Sequence, residues 1–448
     1  MKKNLLFVLT AALVSLPAVA QEEPKNIELT TEERQQVKQN NAFAMQLFDL
    51  ARGTGDVVLS PLSVTYALGM QNIGAAGQTQ QEILQALGFG EAGQDALNAF
   101  CQKLRTESAQ LDKDTKVQTA STVFVNQGEG YELQSTFVEA ANTFYDAQPQ
   151  NRDFKDGETL ALINQWASDH TEGMVKKVLS VDEFNEYAVS YLLNAIYFKG
   201  QWAAPFDEDD TAEAPFGANG KSVMMMHKEE VTRRYTENDS YQAISLPYGN
   251  GAYHMTVVLP REGKTISDVL PLLTDQSLPV QPAYEKWVLL GMPRFSISTE
   301  KDLKPLMLAL GVERAFIPEV AEFPNFCNAS TFISLIKQVA RIDVDEKGTT
   351  AAAVTVIGSE NSALPDIVEM TLNRPFLYFI TEQSTGAIFF IGQFTGEEEA
   401  VDTIATLPAE TARPDDVYDL QGRRLRPSEM PSRLARGIYI QGGRKVLR

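Results

Sequence analysis

Residues able to do chemistry are few in this chain. Among 448 residues there are three histidines, His170, His227 and His254, and two cysteines, Cys101 and Cys327. Three scattered imidazoles are thin material for a metal centre, and two thiols exclude a disulfide framework and a cysteine-rich zinc module. Enzyme signatures are missing: there is no G-x-S-x-G, no H-E-x-x-H, no C-x-x-C and no Walker loop. Gly88-Phe89-Gly90-Glu91-Ala92-Gly93 spells G-x-G-x-x-G. It follows a helical pattern rather than a strand, so it reads as a helix C-cap and turn. No metal and no cofactor is expected, and no catalytic group. The segment that stands out is Gly348 to Ser359, which has no charge, no proline and no large residue. Its threonines, valines and isoleucine favour a strand, and its small Thr and Ala residues can enter a tight gap. Before it, Ala340, Ile342 and Val344 alternate with Arg341, Asp343 and Asp345, as in a half-buried strand. On these properties alone the region is a central strand followed by a polar loop, Glu360 to Pro365.

The elements that must position this segment read as follows. Val37, Phe43, Leu47 and Leu50 recur at helical intervals over 31–52. A short strand, Val57 to Leu59, precedes Ser60 and Pro61, which suit the N-cap and first position of a helix carrying Leu62, Tyr66, Leu68 and Met70. Helices are expected over 79–87, 93–110, 134–146 and 158–170. Tyr191 to Phe198 is a nearly continuous apolar run, expected of a strand buried on both faces. Tyr241–Leu246 and His254–Leu259 flank a turn-rich stretch, as do Phe376–Ile380 and Ala387–Ile391, and both pairs read as hairpins. Helices come first and strands last, without βαβ alternation, so the fold class is α+β.

Composition sets the frame. The chain is 44% hydrophobic and 22% charged, with net charge −20, which is globular and unsuited to neutralising nucleic-acid phosphates. Lys2 and Lys3, the apolar stretch Leu5–Leu16 and Ala18-Val19-Ala20 read as a signal peptide over 1–20; the apolar run is too short for a membrane anchor. A body over 21–397, a linker over 398–410 and a tail over 411–448 follow. The tail holds nine Lys and Arg against four Asp and Glu, whereas residues 21–410 carry −27.

Several segments, in order, resemble the serpin (serine protease inhibitor) family. Asp345-Glu346-Lys347-Gly348-Thr349-Thr350-Ala351-Ala352-Ala353 resembles the hinge of its inhibitory members. Val58 to Ser63, with Ser60, Pro61 and Ser63, is similar to the family's shutter signature. Leu193-Asn194 to Trp202 resembles the strand ending in its breach tryptophan. Leu246-Pro247-Tyr248 and Asn373-Arg374-Pro375-Phe376-Leu377 also match. The resemblance covers roughly 36–396 and implies three β-sheets, about nine helices and an exposed reactive-centre loop. It implies a suicide inhibitor: a protease cleaves the loop, and the cut segment inserts as a strand and traps the acyl-enzyme. Alternation from Thr349 would then turn Thr349, Ala351, Ala353, Thr355 and Ile357 inward, and none is charged. Gln338 stands where the family often has a shutter histidine, and Arg294 matches its basic partner for Glu346.

The family's spacing, counted from Glu346 as the first of 17, puts Ser362 before the cut, while counting back from Pro375 puts Leu364 there. Leu364-Pro365 is a poor bond. Ser362-Ala363 is the first choice and Ala363-Leu364 the second, suiting an elastase-like or subtilisin-like protease. The expected partner is that protease, bound by a monomer. Val417 to Leu425, Arg436 to Ile440 and Gly443 to Val446 resemble the C-terminal sorting domain of type IX secretion. That implies contact with secretion machinery and an extracellular or cell-surface location, or a periplasmic one if the tail does not sort. A non-inhibitory serpin and a secreted hydrolase of another fold are the rivals.

Overall fold

The computed structural model describes residues 24–232, 234–273, 286–348, 367–397, 417–418, 438–441 and 444–447. Two compact units divide the chain, one ending at Glu399 and the other starting at Ala400. Helices dominate the first third: α1 (Thr31–Ala51), α2 (Pro61–Ile73), α3 (Gly77–Leu87), α4 (Gly93–Ser108), α5 (Ser135–Tyr145) and α6 (Thr159–Asp169), with α7 (Ile266–Leu273) and α8 (Lys304–Ala309) further on. Eight α-helices are thus present among the described residues, against about nine expected.

Local chemistry sets these boundaries. Thr30 and Glu33 form a reciprocal capping box at the start of α1. Ser60 caps α2 by accepting from the Ser63 N–H, with Pro61 at the first helical position. Gly88 ends α3 in the left-handed region at φ +85°, where a Cβ would meet Gln39; the G-x-G-x-x-G spelling is a C-cap followed by the start of α4. The reading of α1 needs one correction, because Leu50 is 47% exposed. At 100° per residue it sits about 120° round from Ala44, the middle of the buried face.

Three sheets build the body. The first has five strands in the order β11 (Phe295–Asp302), β12 (Leu335–Val344), β4 (Ser190–Lys199), β2 (Lys116–Asn126) and β3 (Gln150–Arg152). The second has six, in the order β1 (Val57–Leu59), β15 (Ile388–Phe394), β14 (Phe376–Glu382), β9 (Tyr253–Pro260), β8 (Tyr241–Tyr248) and β7 (Tyr235–Glu237). The third has four, in the order β13 (Ile367–Thr371), β10 (Lys286–Pro293), β6 (Lys221–Thr232) and β5 (Ala212–Phe216). The architecture is α+β, as expected. Helix α2 is buried nearly all round because it lies between β15 of one sheet and β2 and β4 of another. A second, smaller apolar cluster joins Ile163 and Trp166 of α6, and Val178 and Leu179 after it, to Leu193, Ala195 and Val339 on the five-stranded sheet.

In the second unit, Val417–Tyr418, Ile438–Gln441 and Arg444–Leu447 form a three-stranded antiparallel sheet. Among the described residues no helix is long and apolar enough to cross a membrane, and no group of three His, Cys, Asp or Glu could hold a metal. Cys101 and Cys327 are both buried and free.

Candidate functional site

The five-stranded sheet contains one unusual seam. Its long strands β11 and β12 pair antiparallel, as do β2 and β4, but β12 and β4 lie side by side in parallel. That pairing runs only from Leu335↔Tyr191 to Arg341↔Tyr197. A strand added between them and antiparallel to both would satisfy the ladder pattern of each neighbour. Any segment that doubled back on β12 would run antiparallel to β12 and so to β4.

Polar side chains hold the seam at mid-height. Gln338 of β12 stands directly opposite Asn194 of β4. Its Oε1 accepts from the Ser60 N–H at 3.1 Å, and its Nε2 donates to the Ser60 carbonyl at 2.9 Å, the Ser63 hydroxyl at 2.8 Å and Asn194 Oδ1 at 3.1 Å. Ser63 Oγ donates to Asn194 Oδ1 at 2.5 Å, and Asn194 Nδ2 donates to the Ser63 carbonyl at 3.1 Å and to Ser121 Oγ at 2.9 Å. The structure therefore brings Ser60, Pro61, Ser63, Asn194 and Gln338 together. All the polar members are buried, and none of them titrates near neutrality.

Above the ladder, the chain after β12 is tethered through its backbone. The Trp202 N–H donates to the Lys347 carbonyl at 3.0 Å and the Phe206 N–H to the Glu346 carbonyl at 2.8 Å. Trp202 is 1% exposed, stacks on Tyr248 with ring centroids 4.3 Å apart, and donates from Nε1 to the Asp345 carbonyl at 2.9 Å. Glu346 Oε1 accepts from Arg294 and from Thr211 Oγ1, the latter at 2.7 Å. Burial pushes the Glu346 carboxyl up, but Arg294, Thr211 and a backbone N–H outweigh it and hold the carboxyl below its ordinary range. Lys347 pairs with Glu208 at 2.8 Å. Gly348 has φ +121°, and a Cβ there would lie 2.5 Å from the Gly200 carbonyl oxygen and the Trp202 nitrogen, so only glycine fits.

Arg294, Trp202, Glu346 and Gly348 thus share one cluster. Arg294 is the single residue between β10 and β11, just beyond the last register pair, Phe295↔Val344. Thr349, Ala351, Ala352, Ala353, Ser362, Ala363 and Leu364 lie outside the described residues. Sequence reasoning missed Thr211, Glu208 and Ser121. The acidic run Asp207–Asp210, of which Glu208–Asp210 is a 3-10 turn capped by Asp207, was the available signal for the first two.

The family model described as "Serpin (serine protease inhibitor)" matches residues 38–396. Antithrombin-III of Bos taurus is 30% identical over 367 residues, 79% of this chain and 78% of its own length. A serine protease inhibitor of Cyanea capillata is 30% identical over 349 residues, 75% of this chain and 91% of its own. Among solved structures, the native thermophilic serpin Tengpin has a TM-score of 0.73 at 24% identity, covering 84% of this chain and 96% of that one. Thyroxine-binding globulin with thyroxine has a TM-score of 0.71 at 26% identity, covering 81% and 98%. With the family model spanning most of its length and relatives matching along three-quarters or more of it, this chain belongs to the serpin family.

Proposed function

We propose that this serpin inhibits an endopeptidase as a suicide substrate. The protease cleaves within 360–364, with Ser362-Ala363 the first choice and Ala363-Leu364 the second. The segment from Thr349 then enters the five-stranded sheet between β12 and β4. The observation that carries this reading is the parallel β12–β4 pair, with Glu346 and Gly348 at its upper end, where the inserting segment begins. About ten new residues of ladder, at roughly 0.5–1.5 kcal/mol net per hydrogen bond, supply on the order of 10 kcal/mol before apolar burial. The acyl-enzyme is the covalent species trapped, so the chain is a partner in the protease's reaction and not itself a catalyst.

A second reading is a binding protein without inhibitory action, favoured by the likeness to thyroxine-binding globulin. The uncharged, proline-free run from Gly348 to Ser359 weighs against it, since a charge turned inward would oppose insertion. The signal-peptide reading of 1–20 and the sorting-domain reading of 411–448 support export, acting as a monomer outside the cell or on its surface.

The test is incubation of the full chain with pancreatic elastase and with subtilisin, followed by denaturing gels and intact-mass analysis. The expected result is a covalent complex and a released fragment starting near Ala363. Clean cleavage within 349–366 without complex would favour the binding-protein reading, and turnover of unrelated peptides would favour a hydrolase.

A further inference from the structure

Two side chains with unused donors line one cleft on the flank of the five-stranded sheet. Strand β3 pairs with β2 only over Phe124–Asn126, so among the described residues no strand covers the outer edge of β2 from Val117 to Ala120. The C-terminal ends of α4 and α6 approach that edge instead, and a cleft of about 310 Å³ lies between them. Tyr66 of α2 lines it and is only 4% exposed, yet its hydroxyl has no hydrogen-bond partner among the described residues. Burial pushes the Tyr66 pKa well up, so the hydroxyl keeps its proton, and the Arg105 charge is near enough to oppose that shift. Arg105, in the last turn of α4, lines the same cleft. Its side chain is 24% exposed, and its Nε is buried without a partner among the described residues. What holds the guanidinium is one loose pair, Nη1 to Asp146 Oδ2 at 3.5 Å. Buried donors left unpaired are costly, and a group that answers both of these at once would be held firmly.

We propose that this cleft is a binding site for a free α-amino acid with an apolar side chain. The site stands apart from the inhibitory reading above and needs nothing from it. A carboxylate meets the guanidinium fork of Arg105 and accepts from the Tyr66 hydroxyl. The rim calls for the opposite sign. Asp146 and Asp169 are exposed there, and the carbonyl ends of α4 and α6 add to their field. A plain anion would be repelled by that rim, and a plain cation by Arg105. Because Asp146 stands beside Arg105, the two signs lie next to each other, as carboxylate and ammonium do on one α-carbon. Buried Phe389, with Val117 and Ala120 of β2, supplies apolar wall for the side chain. The volume suits a single amino acid rather than a peptide.

The experiment is calorimetric titration of the uncut, full-length protein with L-phenylalanine, with 3-phenylpropionate, which lacks the ammonium, and with 2-phenylethylamine, which lacks the carboxylate. The parent is compared with Arg105→Met, Asp146→Asn and Tyr66→Phe. Asp146 ends α5 at φ +53°, a conformation that asparagine accepts, so Asp146→Asn removes charge without adding strain. The expected result is saturable binding of L-phenylalanine at one site, with each single-charge analogue about tenfold weaker or more. Arg105→Met and Asp146→Asn should lose a similar factor. Tyr66→Phe should bind several-fold more weakly but, without ligand, unfold no lower than the parent, because its hydroxyl bonds to nothing in the fold. No saturable binding by the parent at tens of millimolar L-phenylalanine overturns the proposal. So do analogues that bind the parent within twofold of L-phenylalanine, a result that stands even if a variant fails to fold. Undiminished binding by Arg105→Met and Asp146→Asn would put the amino acid elsewhere and overturn it too. None of these results bears on covalent complex formation, so the inhibitory reading is tested separately.

Discussion

The five-stranded and six-stranded sheets are built from similar strands but are held in opposite ways. In the six-stranded sheet every neighbouring pair is antiparallel, and Phe376, Leu377, Phe379, Phe390 and Ile391 are fully buried in apolar surroundings. At the seam of the five-stranded sheet, by contrast, β12 and β4 run parallel, and Gln338, Asn194, Ser60 and Ser63 fill the space behind it. Apolar packing is non-directional and is lost gradually, whereas a buried amide network holds one geometry and fails once its partners separate. Around β14 and β15 the six-stranded sheet is therefore sealed mainly with hydrocarbon, and the part proposed to open is held by polar clasps that have discrete alternatives.

The largest effect expected from disturbing this contrast comes from charging the inserting strand. In the proposed insertion, strand alternation would make Thr349 the first residue turned inward, so Thr349→Arg would carry a guanidinium between β12 and β4. Desolvation without a partner costs several kcal/mol. Deacylation by the protease is untouched, because the substitution lies far from the cut, so flux moves from trapping to hydrolysis. The complex-to-cleaved ratio should fall at least tenfold for Thr349→Arg, while Thr350→Arg, turned outward, should stay near the parent. Equal ratios for the parent and Thr349→Arg would mean that the loop does not enter this seam.

Much of this was readable in the sequence because it was local. Ser60-Pro61, the strand from Val57 to Leu59 and the burial of Tyr191–Phe198 are set by neighbours a few residues away, and the structure reproduces them within a residue or two. The polar clasp was only half legible. Gln338 could be placed opposite the shutter by counting from Glu346, but its simultaneous bonds to Ser60, Ser63 and Asn194 span 278, 275 and 144 positions of sequence. The parallel pairing of β12 with β4, and of β13 with β10, leaves no local mark at all. Thr211 stayed hidden for the same reason: its bond to Glu346 spans 135 positions.

Acid should act on the two sheets unequally. His254 lies in the six-stranded sheet, where its Nδ1 accepts from Ser245 and its Nε2 donates to the Gly251 carbonyl, an arrangement that suits the neutral ring. Burial, with the Arg234 charge, pushes its pKa down to about 4. A depressed pKa contributes stability that is present above the ordinary value of 6.5 and is lost as the pH falls towards 4. The loss is on the order of 3 kcal/mol. Asp56, raised by burial, acts in the opposite direction, but it is common to the parent and to His254→Gln. Subtracting the denaturant stabilities of the two proteins between pH 7 and pH 4 therefore isolates His254. A flat difference would show that the ring is solvated, and the contrast between a titrating sheet and a non-titrating seam would be lost.

The smallest effect tests the clasp itself. Gln338→Leu keeps most of the side-chain volume but removes the acceptor for the Ser60 N–H and the donor shared by three oxygens. The oxygens keep other partners: Ser63 Oγ still donates to Asn194 and to the Ser60 carbonyl. The Ser60 N–H is left buried without its acceptor, which costs about 1–3 kcal/mol. That cost belongs to the uncut form, in which β12 and β4 are neighbours. Once a strand lies between them, Gln338 and Asn194 are about one strand spacing of 4.8 Å further apart, and their mutual bond is gone in parent and variant alike. The substitution should therefore lower the unfolding temperature of the intact protein by several degrees and that of the loop-cleaved protein by less, widening the gap between the two forms. If both forms shift equally, the amide is an ordinary core contact. The polar seam would then differ from the six-stranded sheet in composition but not in what it does.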